Sequence, residues 1–371
     1  MKKIQMVDLQ SQYQKIKEDV DTAILNVLGS AAFINGPEVK QFETELQDYL
    51  DVKHVIPCAN GTDALQIALM SLGLEPGDEV ITADFTFAAT VEVIDLLKLT
   101  SVLVDVDYNT FTIDIEKLKA AITPKTRAII PVHLFGQCAN MDEVMAVAKE
   151  YNLFVIEDTA QAIGADYKGK KAGTIGHIGC TSFFPSKNLG CYGDGGAIFT
   201  NDDELAHKLR GIVNHGMYKR YYHDEVGVNS RLDSVQAAVL RKKLPLLDSY
   251  NEARNKAAAY YSAAFKDIEE LLTPELGENS THVFHQYTLR VTNGKRDELQ
   301  AFLTEKEIPA MIYYPVPLRK QKAYNNGHYN DADFPNTNKL VEEVISLPMH
   351  TELDDEQLVF ITSAVKEFFG K

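Results

Sequence analysis

Short β-branched runs alternate with amphipathic helical patterns up to about residue 215, and this alternation constrains the fold more than any other feature of the chain. A strand, a crossover helix and a second strand form the unit from which mostly parallel sheets are built. The pattern therefore predicts an α/β domain whose central sheet is covered by helices. The predicted strands are His54–Pro57, Glu79–Thr82, Ser101–Val104, Ala128–Pro131, Leu153–Ile156 and Ala197–Thr200.

The pattern changes near Tyr250. A long helical pattern leads to a strand-like run over residues 282–291, a helix from Arg296 and a strand that ends at Tyr313. This order is typical of a smaller α+β domain packed beside the first. We therefore divide the chain into a large domain over residues 1–249 and a small C-terminal domain over residues 250–371.

The charge balance excludes several classes of partner. Lys and Arg number 37 against 53 Asp and Glu, a formal net charge of −16, and no basic run is present. Such a chain repels nucleic acid and anionic membranes. The N-terminus has no apolar signal segment, so we expect a cytoplasmic protein. Four widely spaced cysteines indicate neither a disulfide framework nor a metal site.

Residues 60–63 follow a predicted strand and open a helix. The first N–H groups of a helix bind anions, and the Thr62 hydroxyl would add a donor. The same residues suit an ordinary N-cap, which is the more frequent role of such a sequence. The glycine-rich run 190–196 precedes a strand, whereas a dinucleotide-binding motif must follow one, so we interpret it as a tight turn.

Two further stretches carry side chains that could bind a ligand or act in catalysis. Glu157 and Asp158 end an apolar strand, and ligands bind at the carboxyl ends of parallel strands. The alternative is that one carboxylate caps the next turn and the other is solvated. Lys187 lies in an aromatic and apolar segment, where desolvation would lower its pKa and favour a nucleophilic amine. The alternative is a surface lysine.

The order of these features is more specific than any one of them. A phosphate-type helix start is followed by the aromatic Phe87, the strand-end Asp158, the hydroxyl of Ser182 and the amine of Lys187. Pyridoxal 5′-phosphate (PLP) needs an anion cradle, a surface on which its ring stacks, a carboxylate for its ring nitrogen, and an amine. The sequence therefore indicates a PLP enzyme.

Motifs along essentially the whole chain resemble the DegT/DnrJ/EryC1/StrS family of sugar aminotransferases, which are fold-type I PLP enzymes. The motifs are residues 36–39, 60–65, 76–81, 85–90, 157–161, 182–187, 195–197 and 229–233. The resemblance implies that Lys187 bonds covalently to PLP, that Asp158 pairs with the pyridine nitrogen, and that pyridoxamine 5′-phosphate (PMP) forms in the half-reaction. It implies that the other cofactor-binding residues are Gly61, Thr62, Phe87, Gln161, Ser182 and Asn229.

In this family the residue at Asn229 reaches the phosphate from the partner subunit, which implies a homodimer with shared active sites. The chain is most similar to enzymes that aminate carbon 3 of UDP-2-acetamido-2-deoxy-3-oxo-glucuronate, with glutamate as the implied donor. Arg231 would pair with a carboxylate of glutamate or of a sugar acid, or else form an ion pair at an interface. Tyr313 stands where such relatives have His, on the side facing the sugar.

Several alternatives stay open at this point. The first alternative concerns the substrate, which would be a dTDP-3-oxo-6-deoxyhexose. The presence of Tyr313 where the glucuronate enzymes have His favours this alternative. A PMP-dependent sugar dehydratase would replace the lysine by histidine or add an iron–sulfur cluster, and Lys187 and the sparse cysteines argue against it. The third alternative is a non-catalytic regulatory protein of the same fold. The preferred interpretation places the enzyme in polysaccharide biosynthesis, such as that of lipopolysaccharide O-antigen.

Overall fold

A computed structural model describes residues 2–325 and 327–371 of the chain. Its helices in chain order are α1 (Leu9–Ser30), α2 (Pro37–Leu50), α3 (Gly61–Ser71), α4 (Ala89–Leu96), α5 (Ile115–Ala120), α6 (Met141–Tyr151), α7 (Asp203–Ile212), α8 (Ser234–Lys243), α9 (Leu247–Phe265), α10 (Arg296–Glu305), α11 (Pro335–Glu343) and α12 (Asp355–Phe368).

The strands in chain order are β1 (His54–Cys58), β2 (Glu79–Ala83), β3 (Thr100–Val104), β4 (Thr126–Ile130), β5 (Phe154–Asp158), β6 (Asp166–Tyr167), β7 (Lys170–Lys171), β8 (Ile178–Ser182), β9 (Gly196–Thr200), β10 (Met217–Lys219), β11 (Tyr222–His223), β12 (Leu271–Leu272), β13 (Tyr287–Val291) and β14 (Val344–Leu347).

Seven strands form the central sheet in the order β1-β9-β8-β5-β4-β2-β3. Only β9 runs antiparallel to its neighbours, so the prediction of a mostly parallel sheet is confirmed. All six predicted strands are present, with ends shifted by one or two residues. The sequence prediction missed β8, because its run of Ile, Gly, Cys, Thr and Ser has little β-branched character.

Helices pack on both faces of the sheet because their apolar positions recur at helical spacing. Val39, Phe42, Leu46 and Leu50 of α2 form one buried face, and Pro37 occupies the first turn, where its missing N–H costs nothing. They share one core with Phe183 of the loop after β8. This packing fixes the backbone that leads to Lys187.

The C-terminal elements build a separate apolar core from α9, α10, α12 and the antiparallel sheet of β12, β13 and β14. Ile4, near the N-terminus, is also buried in that core. The boundary that we predict between residues 249 and 250 falls inside α9, which begins at Leu247. The division into two domains stays a prediction.

Two predicted strands are wrong in extent. The strand expected over residues 282–291 begins only at Tyr287, because Phe284 has a φ of 43° that breaks the extended conformation. The strand expected to end at Tyr313 is replaced, among the described residues, by a single bridge from Met311 to Ser346. Both departures lie in segments that line the candidate site. Within the described chain, no helix combines the length and apolarity needed to cross a bilayer.

Candidate active site

A cavity of about 590 Å³ lies where β1, β2, β5 and β8 end. Parallel strands present their carboxyl ends at the same edge of a sheet, which is where ligands bind in open α/β folds. Eight of the ten predicted site residues line this cavity, and they are Gly61, Thr62, Phe87, Asp158, Gln161, Ser182, Lys187 and Tyr313. Asn229 and Arg231 do not.

One corner of the cavity is built for an anion. The side chain of Asn60 accepts a hydrogen bond from the N–H of Asp63 at 2.8 Å, so the capping interpretation is correct. Gly61 and Thr62, the first residues of α3, line the cavity, and the first N–H groups of a helix have no partner within the helix. A Cβ on Gly61 would lie 2.7 Å from the Cβ of Ser182, so glycine is required for this close approach. Capping and anion binding are thus compatible here.

Asp158 presents a buried carboxylate to the cavity, with 6% of the residue exposed. Its Oδ2 accepts a hydrogen bond from the Thr90 hydroxyl at 2.8 Å, and its Oδ1 accepts one from the N–H of Ala160 at 3.1 Å. The neighbouring Glu157 is fully buried and accepts a hydrogen bond from His133 at 2.8 Å. The alternative in which one carboxylate of this pair is solvated is therefore wrong.

Lys187 lies in the loop between β8 and β9 and is one of the residues that line the cavity. Burial lowers the pKa of this amine to about 8, although the charge of Asp158 partly opposes the shift. A lysine with such a pKa has both protonation states available near neutral pH. The alternative of an ordinary surface lysine is wrong.

Gln161 is oriented by two contacts. Its Oε1 accepts a hydrogen bond from the N–H of Phe135 at 2.8 Å, and its Nε2 donates to the Tyr314 hydroxyl at 3.2 Å. The Tyr314 ring also contacts the ring of Phe87, with centroids 6.2 Å apart. Phe87 is 57% exposed, so one aromatic face remains free for a planar ligand.

Thr90, which contacts Asp158, and the cavity-lining His285 and Tyr314 are among the residues that the sequence did not predict as part of the site. Burial holds the pKa of His285 well below its usual value, and the charges of Lys187 and Arg254 add to the shift, so the imidazole is neutral. The positive φ of Phe284 directs this residue into the cavity in place of the predicted strand. Thr90 lies at the end of the motif over residues 85–90, but nothing in the sequence gave it a role of its own.

The two predicted residues outside the cavity lie close together on the segment after β11. Asn229 is exposed and pairs through the backbone with Asn214, while Arg231 donates to the side chains of Asn229 and Asn214, the latter at 3.0 Å. Among the described residues Arg231 has no carboxylate partner, so the structure of one chain gives no ion pair for it.

The cavity therefore combines an anion cradle, an exposed aromatic face, a buried carboxylate and an amine of lowered pKa. A ligand with a phosphate group, a flat ring, a basic ring nitrogen and a carbonyl carbon would match all four. The model of the family described as "DegT/DnrJ/EryC1/StrS aminotransferase family" matches residues 14–366. This chain belongs to that aminotransferase family.

Relatives of this family member span nearly the full chain. A Pseudomonas aeruginosa protein named "UDP-2-acetamido-2-deoxy-3-oxo-D-glucuronate aminotransferase" is 48% identical over 98% of this chain and 99% of its own length. A Geobacillus stearothermophilus protein named "Pleiotropic regulatory protein" is 47% identical over 99% of this chain and 98% of its own length.

A solved structure titled as NtdA from Bacillus subtilis with bound cofactor PMP superposes with a TM-score of 0.93. The match has 31% sequence identity and covers 100% of this chain and 86% of the other. The likeness of fold agrees with the expectation of a fold-type I transferase with a mostly parallel central sheet.

We expect the amine of Lys187 to titrate near pH 8 in the protein without bound ligand. The charge of Asp158 raises this pKa, so Asp158→Asn should move the midpoint to a lower pH. The measurement is the pH dependence of amine acylation at Lys187, read by peptide mass mapping. Asp194→Asn is the matched control, because Asp194 also lines the cavity but does not contribute to the shift. A midpoint near 10.5, or one unchanged by Asp158→Asn, would contradict this assignment.

Proposed function

We propose that this protein is a PLP-dependent aminotransferase that moves the amino group of glutamate to the keto carbon of a nucleotide-linked sugar. The observation that carries the proposal is that Lys187, Asp158 and the N-terminus of α3 meet in one cavity. An amine, a carboxylate and an anion cradle are the groups by which a protein holds and uses this cofactor.

The described residues that line the cavity have the kinds of groups that PLP requires. Gly61, Thr62 and Ser182 would hold its phosphate, Phe87 would stack on its ring, and Asp158 would pair with its ring nitrogen. Gln161 already has its Oε1 occupied by Phe135, so its Nε2 is the atom that would donate to the phenolic oxygen. When bound, the cofactor supplies an electron sink that stabilises negative charge on the carbon bonded to nitrogen.

Lys187 would have two tasks in the reaction. Its amine would hold the cofactor covalently, and when free it would take up or release a proton at Nζ beside the bound amino donor. A pKa of about 8 suits both tasks, since general acid and base catalysis works best with a pKa near the operating pH. Asp158 would pair with the ring nitrogen and favour its protonated form.

The proposed substrate is UDP-2-acetamido-2-deoxy-3-oxo-glucuronate, aminated at carbon 3. The name of the P. aeruginosa relative, at 48% identity, supports it. Arg231 supports it as well, because its guanidinium has no carboxylate partner among the described residues and could bind the sugar carboxylate with two hydrogen bonds. Tyr313, which lines the cavity, would contact the sugar. The dTDP-3-oxo-6-deoxyhexose stays the second candidate.

The active site is proposed to need a second copy of the chain. Among the described residues that line the cavity, Lys187 is the sole lysine or arginine, beside the negative Asp158 and Asp194. A nucleoside diphosphate brings further negative charge and requires more cations than one chain's cavity provides. Asn229 and Arg231 lie outside it and are available to a neighbour.

An exposed apolar surface adjoins that segment. Phe33 and Ile34 are 45% and 55% exposed. Their backbone pairs with Ser234 and Asp233, which lie three and two residues after Arg231. Exposed apolar residues in a cluster mark interaction surfaces. Homodimerisation through this surface would bring Asn229 and Arg231 to the partner's cavity.

A regulatory role without catalysis is the second candidate for the function of the protein, and the name of the G. stearothermophilus relative favours it. The presence of Lys187 with its lowered pKa argues for catalysis, because a protein that only senses a ligand has no need of a free amine. We place the enzyme in the cytoplasm, in polysaccharide biosynthesis.

The substrate is tested by single-turnover reaction of the PMP form with the UDP-linked acid and with a dTDP-3-oxo-6-deoxyhexose. We expect a higher kcat/KM for the acid, by about 100-fold or more, because an unmade hydrogen bond to a buried charge costs several kcal/mol. Arg231→Lys keeps the charge and loses the planar donor pair, so it should reduce this preference. A higher kcat/KM for the dTDP sugar would overturn the acid assignment and leave transamination standing.

The shared site is tested by mixing inactive chains. A mixture of Lys187→Ala and Asn229→Ala chains should recover about a quarter of the native sites, because each hybrid dimer holds one site with both native residues. Mixing Lys187→Ala with Asp158→Asn chains is the control and should recover nothing, since both residues belong to the same chain's cavity. No recovery in the first mixture, with hybrids shown to form, means that each site is built within one chain.

A further inference from the structure

The carboxylate of Asp158 is held by a residue that no sequence motif assigned. Thr90 is fully buried, and its hydroxyl donates to Oδ2 of Asp158 at 2.8 Å. The N–H of Ala160 donates to Oδ1 at 3.1 Å. Each oxygen of the carboxylate thus has one donor, and the two donors come from different segments of the chain. Two such bonds fix both the position and the plane of the carboxylate.

The contact joins a fully buried hydroxyl to a carboxylate that is almost wholly enclosed. An ionised carboxylate only accepts hydrogen bonds, so the hydroxyl of Thr90 must be the donor. Thr90 has no exposed surface and Asp158 has 6%, so a lost donor would leave the charge less well satisfied. Bonds of this kind contribute more than neutral ones, and losing one from a buried charge is costly.

The same short segment also carries Phe87. Thr90 is in the first turn of α4, and Phe87 lies three residues before it in the loop that lines the cavity. One stretch of backbone therefore presents an aromatic face and a hydroxyl that orients the facing carboxylate. A shift of this segment would move both together.

We propose that Thr90 is a positioning residue that fixes the Asp158 carboxylate for the ring nitrogen of the cofactor. Thr90 does not touch the reacting atoms and acts through Asp158. This inference rests on the proposed function, since it requires that Asp158 pairs with that nitrogen. With the hydroxyl present, the carboxylate is held in place before the cofactor binds, so less ordering is needed on binding.

The variants are Thr90→Val, which keeps the branched shape without the hydroxyl, and Thr90→Ser, which keeps the hydroxyl. We expect Thr90→Val to raise the dissociation constant of PLP and to lower the single-turnover rate, each by about 10-fold, as for loss of a charged hydrogen bond. Thr90→Ser should stay within about threefold of the native protein on both measures. The PLP dissociation constant is measured by titrating the apo-protein and following absorbance.

A double-mutant cycle with Asp158→Asn separates positioning from packing. In the Asp158→Asn background the charge is gone, so Thr90→Val should change the PLP dissociation constant by less than about twofold. An equal loss in both backgrounds would show that Thr90 acts through packing and would overturn the proposal. Native affinity and rate in Thr90→Val alone would overturn it too.

The cycle also distinguishes failure of this inference from failure of the proposed function. If Asp158→Asn by itself leaves the PLP affinity and the rate unchanged, Asp158 has no part in cofactor chemistry and the proposed function is at fault. If Asp158→Asn is strongly impaired and Thr90→Val is not, only the role of Thr90 fails. Should Thr90→Val not fold, Thr90→Ala carries the same predictions, with Thr90→Ser as the folded reference.

Discussion

The active site depends on the buried carboxylate of Asp158 at the end of β5. Asp158 is almost fully enclosed, and Thr90 and Ala160 each donate a hydrogen bond to one of its two oxygens. Its charge acts on Lys187 as well, where it opposes the effect of burial and leaves the amine with a pKa of about 8. The acid therefore influences the pKa of the amine within a single chain.

The parallel sheet explains how residues distant in the sequence meet at this charge. Strands β1, β2, β5 and β8 all end at the same edge. The segments after β1 and β2 carry the anion cradle and Phe87, and Asp158 and Ser182 are the last residues of β5 and β8. Each strand end supplies one part of the site, and no single sequence motif contains all of the parts. Glycine at position 61 allows the first and last of these segments to approach closely.

The sequence predicted the elements that rely on local pattern and missed those that rely on tertiary contacts. The six predicted strands and the cluster around Lys187 follow from apolar runs and from motif order, and they were found in place. The loop around His285 was mistaken for a strand, because apolar and aromatic spacing does not reveal the positive φ of Phe284. The role of Thr90 could not be predicted, since it appears only when the first turn of α4 meets the end of β5 in the folded chain. Asn229 and Arg231 lie outside the cavity, and the role that the family resemblance implies for them stays a prediction.

The central claim is that Lys187 is the residue that bonds the cofactor, and reduction of the PLP-loaded protein with borohydride tests it most directly. The reagent fixes a C=N bond permanently, and peptide mass mapping then locates the cofactor. Lys243 provides an internal comparison, because burial lowers its pKa to about 8 as well, but it is 1% exposed and donates to the carbonyl of Gly190 at 2.7 Å. The account predicts the adduct on the peptide that contains Lys187 and none on Lys243. An adduct on Lys243 or on any other lysine, or no adduct in protein that binds PLP, would contradict it.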